Sequence, residues 1–404
     1  MKIALIGNMN NNFFSLARFL RDKGIDTSLL LLNNEISHFH PSADSYDLDY
    51  MNYTFNLSWG GKEFVRLTKK EIYEDLKDYD VLIGSGYAPS YCFKAGRELD
   101  IFFPYGEDIW GYVTYPKPSY IKNLRKLISS LISVPATKFQ RDALKHCNIV
   151  NMSYTNSIYE TQISKYCNYK ERWLDPLPMV YTKIYNENLI ENFAERTHWY
   201  HIFKEIREKS DLMIISQARH VWGGSISDPN QKGNDKLING YSKFVKSNNS
   251  VKSMLVLLEY GPNVQQSKKL IKNLNIEDRI CWMPKMYRKD LMIGLALSDI
   301  VCDQFAHSWV TCGSTLEPLA LGKPLMKYLN AELIDTYNNG LYPLMNANSA
   351  NEIADYFEDY LSNPEKYIGM GKKGKQWYDN IVVERSIGRY INYITSKKNK
   401  NAFK

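Results

Sequence analysis

The stretch Gly313-Ser314-Thr315-Leu316-Glu317, opening "GSTLEPLALGKP", has the composition of a helix entrance that receives an anion: small residues over free backbone N–H groups. Arg219 follows the apolar run "LMIISQA", and Lys232 sits in "QKGNDKL" just before a helical pattern. Together these two cations could neutralise a diphosphate in a way that one charge could not. Gly261-Pro262, after "MLVLLEY", reads as a tight turn that lets a ligand approach backbone. Glu317 would repel phosphate, but a carboxylate slightly displaced from it can accept hydrogen bonds from the two vicinal hydroxyls of a ribose. The set would therefore read a nucleoside diphosphate. Each part also has a plainer reading. Ser314-x-x-Glu317 fits a capping box that binds nothing. Arg219 alone fits a surface salt bridge, and Lys232 a solvated loop charge. Their joint placement on successive strand ends favours a site.

The elements that must carry these residues alternate apolar strands with helical patterns, the rhythm of a parallel sheet. Near the start the runs are "KIALIG", "FFSLARFLRDKG", "IDTSLLLL", "KKEIYEDLKDY" and "DVLIGSG". From Asp211 the rhythm resumes through "DLMIISQAR", "SMLVLLEYG", "RICWMP" and "DIVCDQF". Two such halves predict an α/β protein of two Rossmann-like domains, residues 1–178 and 179–384, with the hinge in the two-proline linker near Pro178. The final pattern predicts a long helix whose end, about 385–396, packs back on the first domain. Residues 397–404 then read as a solvated basic tail.

A chain of 404 residues exceeds what one core usually holds, which agrees with two domains. Hydrophobic residues at 44% and charged residues at 24% exclude a disordered chain. Six scattered cysteines without a C-x-x-C pair argue against a disulfide framework and a zinc site. The opening "MKIALIGN" is a strand-like run without the features of a secretory signal, so a cytoplasmic location is expected. No apolar stretch is long enough to span a bilayer. Lys117, Lys122, Arg125, Lys126, Lys138, Arg141 and Lys145 face a single acid, Asp142, between Val113 and His146. With Leu124, Leu127, Ile128, Leu131 and Ile132 at helical spacing, segment 117–145 could lie on an anionic membrane surface. The competing reading is a core-facing helix with a solvated basic side.

"SQARHVW…QKGNDKLINGYSKF", "LLEYGP", "RICWMP" and "DQFAHSWVTCGSTLEPLALGKP" resemble the C-terminal half of GT-B glycosyltransferases of the GT4 type. The resemblance covers roughly residues 211 to 330 and is weak in the first half. It implies two domains with parallel sheets facing across a cleft, the first binding an acceptor and the second a UDP- or GDP-linked sugar. It implies diphosphate contacts from Arg219 and Lys232 and ribose contacts from Glu317, with Gly261, Pro284, Gly313, Ser314 and Thr315 lining the donor site. No cofactor and no metal are implied.

Two positions depart from the family pattern. Trp309 stands where the family has its first Glu, although a branch with "DQ…G" is similar to "DQFAHSWVTCG". "IFFPYGEDIW" is similar to the family's His-Gly-x-Asp segment, with Tyr105 in the His position before Gly106, Glu107 and Asp108. Tyr can hydrogen-bond a sugar hydroxyl but is a poor base near neutral pH. In a retaining, front-face reaction the departing phosphate can itself take the acceptor's proton. Tyr105, Glu107 and Asp108 are the catalytic candidates of the first half, although Glu107 and Asp108 also fit a capping pair or a satisfied loop acid. Gly7, Asn8 and Asn10 form a loop similar to the one that meets donor and acceptor, although Asn8 and Asn10 to Asn12 also fit plain turn residues.

The resulting expectation is a hexosyltransferase-like enzyme that moves a sugar to a saccharide or lipid-linked acceptor in cell-surface polysaccharide or glycoconjugate biosynthesis, cytoplasmic or peripheral on the inner face of the membrane. A nucleotide-sugar epimerase or phosphorylase of the same fold, and a non-catalytic nucleotide-sugar-binding scaffold, are the rivals. Nucleic acid is not expected, since the basic residues cluster without interleaved stacking aromatics. The pairs His38/His40 and His198/His201 lack further metal ligands nearby. Asp47-x-Asp49 and Asp78-x-Asp80 match a D-x-D motif of the other glycosyltransferase fold, but the second lies at the amino end of its strand, the wrong edge.

Overall fold

The computed structural model describes residues 1–33, 35–115, 124–152, 157–225, 228, 230–337 and 340–402. The chain divides into two compact units, Met1–Tyr181 with Val382–Lys404, and Thr182–Ile381.

In the first unit the chain runs β1 (Lys2–Ile6), α1 (Asn12–Asp22), β2 (Asp26–Leu31), β3 (Thr54–Asn56), α2 (Lys69–Leu76), β4 (Val81–Gly84) and α3 (Ala88–Ala95). It continues through β5 (Ile101–Phe102), α4 (Leu124–Leu144), β6 (Cys147–Asn151), α5 (Ser157–Tyr166) and β7 (Tyr169–Trp173). All seven strands pair in parallel in the order β3-β2-β1-β4-β5-β6-β7. Helices on both faces of such a sheet require strands that are apolar throughout, and Ile3 to Ile6 and Val81 to Ile83 are fully buried. The one buried cation of α1 is neutralised locally: Arg18 Nη2 donates to Asp44 Oδ2 at 2.8 Å, and its guanidinium lies 4.0 Å from the Phe14 ring and 4.5 Å from that of Tyr181.

The second unit runs α6 (Leu189–Phe193), α7 (Trp199–Glu208), β8 (Leu212–Ser216), α8 (Asn234–Ser247), β9 (Ser253–Glu259), α9 (Val264–Leu274), β10 (Ile280–Pro284) and α10 (Arg288–Leu297). Then come β11 (Ile300–Cys302), α11 (Gly313–Ala320), β12 (Leu325–Lys327), α12 (Ala331–Tyr337), β13 (Met345–Asn346), α13 (Ala350–Ser362) and α14 (Pro364–Trp377). Its six strands are parallel, in the order β10-β9-β8-β11-β12-β13. On one face Leu237, Ile238, Tyr241 and Phe244 of α8 join Ile353 and Phe357 of α13 over Leu212, Ile214, Leu255 and Ile300. Each such side chain contributes about 1.5–3 kcal/mol by leaving water, which makes this layer the rigid base of the loops at the strand ends.

The two halves of the expected final helix belong to different units. A π-helical stretch, Tyr378–Arg385, separates α14 from α15 (Ser386–Ala402), and the division between units falls within it. α15 continues past Ser396, where the sequence pattern ends it. The segment read as a solvated tail is anchored at its start, because Lys397 ion-pairs with the buried carboxylate of Asp100, which also accepts from Tyr393 Oη at 2.6 Å. Arg385 and Arg389 both pair with buried Asp175. Of the basic segment 117–145 proposed for a membrane, residues 117–123 lie outside the described residues. Arg141 is committed to the fold: Nε donates to Val113 O at 2.6 Å, and the guanidinium lies 4.4 Å from the Tyr115 ring. No helix among the described residues is long and apolar enough to cross a membrane.

Candidate functional site

Where the strand order of a parallel sheet reverses, the loops leaving the two central strands run in opposite directions and open a crevice at their carboxyl ends. In the second unit that point lies between β8 and β11. Gln217, Ala218 and Arg219 leave β8 there, and Asp303 and Gln304 leave β11.

Asp303 organises the entrance of α11. Ser314 Oγ donates to its Oδ1 at 2.6 Å, Thr315 Oγ1 donates to Oδ2 at 2.7 Å, and Lys327 Nζ lies 3.1 Å from Oδ2. Burial pushes this carboxyl up, but Lys327 and the two hydroxyls outweigh burial and hold it below its ordinary value. The Ser314 and Thr315 hydroxyls are thus committed to Asp303. Thr315 N–H and Leu316 N–H donate to Cys312 O, so what the helix mouth offers an anion is the amides of Gly313 and Ser314 and the aligned dipoles behind them. Gly313 keeps that mouth open, since a Cβ there would meet only Glu317 Oε1, at 4.0 Å.

Lys232 arrives at the same place from the loop before α8. Its Nζ donates to Gln304 Oε1 at 2.7 Å, its backbone N–H donates to Val221 O, and its carbonyl accepts from Phe305 N–H. Burial lowers its pKa, Asp303 and Cys312 oppose that, and the nearby Arg219 and Lys327 charges add to the lowering. An arriving phosphate would shift the balance toward the ammonium. Arg219 holds its position more loosely, with Nη2 donating to Asn230 Oδ1 at 3.3 Å. Gly233 caps α8 in a left-handed conformation with the Phe305–Ala306 backbone 3.0–3.1 Å from where a Cβ would stand, which accounts for the Lys-Gly pair.

Glu317 is buried at 7% exposure and takes Arg288 Nε on Oε1 at 2.7 Å. The capping box does not form: Cys312 is the N-cap, and its side chain accepts no capping bond. Sequence reasoning missed Arg288. Its signal was a cation at the first position of a helix, where the dipole disfavours it unless an acid compensates.

Two expected donor-site residues do other work. Gly261 has φ of +115°, and a Cβ there would lie 2.6 Å from the backbone N and O of His220, so it is the chain's own loop that approaches it. His220 N–H donates to Tyr260 O and its carbonyl accepts from Asn263 N–H, locking the two loops together. Pro284 ends β10, the edge strand, with β9 between it and β8, and is not brought to the switch point.

In the first unit the order reverses between β1 and β4. Gly7 follows β1, its N–H donating to Leu30 O at 3.0 Å. Asn8 is buried and structural: Nδ2 donates to Asn11 Oδ1 and Phe39 O, while Oδ1 accepts the α1 amide of Phe14 at 2.9 Å. Asn10 and Asn11, both left-handed, complete the turn.

Asp108, a catalytic candidate from sequence, lies fully buried beneath its own loop. Its oxygens accept from the amides of Gly86, Tyr105 and Gly106 at 3.0–3.2 Å. Burial pushes its pKa up to about 7 against those amides. These bonds make Asp108 an anchor of its own loop. Tyr105 Oη lies 3.0 Å from Tyr112 Oη, and Tyr112 stacks flat on Tyr87 at 4.0 Å. Burial raises the Tyr105 pKa far above its ordinary value, which removes it as a base. Glu107 is exposed on the same loop. Glu35, which the sequence reading passed over, is pushed up to about 7 by burial, opposed by the amides of Ile36 and Asn8.

His40 Nδ1 lies 2.8 Å from Ser42 Oγ, and His201 lies 3.5 Å from Glu195, so neither histidine pair shares a ligand set. Among the described residues no three His, Cys, Asp or Glu side chains converge as a metal would need.

Residues 227–377, all within the second unit, match the family described as glycosyl transferases group 1. No curated protein sequence matches the chain. Among solved structures, Anabaena HepE in complex with UDP is 12% identical, with a TM-score of 0.61 over 98% of this chain and 100% of that one. Sucrose-phosphate synthase from Thermosynechococcus elongatus is 12% identical, with a TM-score of 0.60 over 99% and 100%. The α,α-trehalose 6-phosphate synthase from Burkholderia multivorans is 12% identical, with a TM-score of 0.59 over 99% of both chains. At this identity the likeness is one of fold, and the two parallel-sheet units are those of the GT-B architecture.

Proposed function

We propose that the protein transfers a sugar, with retention, from a UDP-linked donor to a saccharide or lipid-linked acceptor. The observation that carries this reading is Lys232, a half-buried ammonium held at the β8/β11 switch point beside the open amide mouth of α11. A structure with the same fold, that of Anabaena HepE, holds UDP and in another case UDP-glucose. UDP is accordingly the nucleotide of choice here.

In the proposed reaction the bond between C1 and the phosphate oxygen breaks, and a bond to the acceptor hydroxyl oxygen forms on the same face. The acceptor's proton passes to the departing phosphate oxygen. Negative charge grows on the diphosphate, and Arg219, Lys232 and the first-turn amides of α11 stabilise it without a metal ion. Glu317, oriented by Arg288, accepts hydrogen bonds from the ribose hydroxyls. Tyr105 and Tyr112 lie on the first unit, where they hydrogen-bond the acceptor sugar and neither serves as base. Lys138 and Lys145 in and after α4 favour an acceptor on an anionic membrane, in cell-surface polysaccharide or glycoconjugate synthesis.

Incubation with UDP-sugars and an acceptor panel, reading UDP release and product anomeric configuration by NMR, tests the reading. Lys232→Ala and Arg219→Ala are expected to abolish transfer with unchanged melting temperature. Near-normal turnover in both variants, or an inverted anomeric centre, would refute the assignment or its stereochemistry respectively.

A further inference from the structure

Two buried amide side chains at the β8/β11 switch point each keep one polar atom unmet. Gln217 is 7% exposed and Gln304 is 1% exposed. The register Ser216↔Cys302 places their exits on hydrogen-bonded neighbouring strands, about 5 Å apart. Gln217 Nε2 donates to Ser314 O, in the first turn of α11, at 3.1 Å. Gln304 Oε1 accepts from Lys232 Nζ at 2.7 Å.

Those partners settle which end of each amide is which. A carbonyl can only accept, so nitrogen must face Ser314; an ammonium can only donate, so oxygen must face Lys232. What remains is an acceptor, Gln217 Oε1, and a donor, Gln304 Nε2, and neither has a partner among the described residues. Leaving such atoms unmet in the interior is costly, so a ligand that satisfies both gains from each.

We infer that this pair reads the transferred sugar, Gln217 Oε1 accepting from one of its hydroxyls and Gln304 Nε2 donating to one of its oxygens. A phosphate does not fit both atoms. Near neutral pH it has no proton to give Gln217, and its charge repels a carbonyl oxygen. A hydroxyl both donates and accepts, so a neutral polyhydroxy group matches the pair. Placement agrees with chemistry: one amide is tied to the helix mouth and the other to the lysine that would hold the diphosphate, beside the bond that breaks. The inference rests on the donor site proposed above and adds the residues that select the sugar.

Isothermal titration of the full chain with UDP and with UDP-glucose tests it, read as the ratio of the two dissociation constants. The ratio cancels any effect on the diphosphate common to both ligands. Three variants are compared with wild type. Gln217→Met removes the acceptor. Gln217→Asn keeps the amide but withdraws it by one methylene, guarding against a Met variant that fails to fold. Gln304→Glu keeps the oxygen on Lys232 and replaces the free donor with an acceptor. In each the UDP-glucose to UDP ratio is expected to rise about tenfold, with melting temperatures of the free protein near that of wild type. An unchanged ratio in folded variants whose UDP binding persists overturns this inference alone. Failure of the wild-type protein to bind UDP, GDP, UDP-glucose or GDP-mannose removes the donor-site reading, and this inference with it.

Discussion

Arg288 Nε lies 2.7 Å from Glu317 Oε1, with the two side chains 8% and 10% exposed, so the acid assigned to the ribose is held by a cation from a different helix. Removing one member of a buried pair leaves the other's charge less compensated in a low-dielectric interior. Arg288→Met is therefore expected to destabilise the second unit by about 3–5 kcal/mol. The double variant Arg288→Met/Glu317→Gln, which removes both charges, should regain part of that loss. Thermal melts of the two variants check this, and equal melting temperatures for them would show that the pair is not what stabilises α11.

Gly261→Ala forces a side chain into a left-handed backbone whose Cβ position is 2.6 Å from the His220 backbone. The expected cost is at least about 2 kcal/mol, from strain and displacement of the locked loop together. Urea unfolding measures it. A wild-type midpoint would mean that the His220 loop yields freely.

Asp108→Ala leaves the amides of Gly86, Tyr105 and Gly106 without their shared acceptor. A loss of about 2–4 kcal/mol follows, because several buried N–H groups become unpaired at once. Turnover per folded molecule should stay within a few-fold of wild type, measured under conditions where circular dichroism shows the variant folded. A loss of several orders of magnitude in that folded protein would return Asp108 to the catalytic machinery.

Burial moves the Glu35 carboxyl from 4.5 to about 7. The sign of the stability effect follows from which state ionises first. Below about pH 4.5 the proton is bound in both states and the group costs nothing. As pH rises toward 7 the unfolded chain loses its proton while the folded chain retains it, so stability falls through this window and is flat above it. Asp108, also raised to about 7, falls in the same direction. Glu35→Gln is therefore expected to lessen the drop in melting temperature between pH 5 and pH 8 without abolishing it. Superimposable profiles for variant and wild type would show that Glu35 ionises normally.

The alternation of strands and helices was legible in the order of residues alone, because apolar period and turn residues are local properties of the chain. So was the chemistry available at the α11 entrance, where Gly313, Ser314, Thr315 and Glu317 are neighbours. Strand order decided the rest. Lys232 meets Gln304, Arg288 meets Glu317 and Gln217 meets Ser314 only because β8 lies beside β11 and α10 against α11, and no local pattern encodes those pairings. Burial, too, is a property of the packed whole: it made Asp108 an anchor, turned the Ser314 and Thr315 hydroxyls inward to Asp303, and left one atom each of Gln217 and Gln304 unmet.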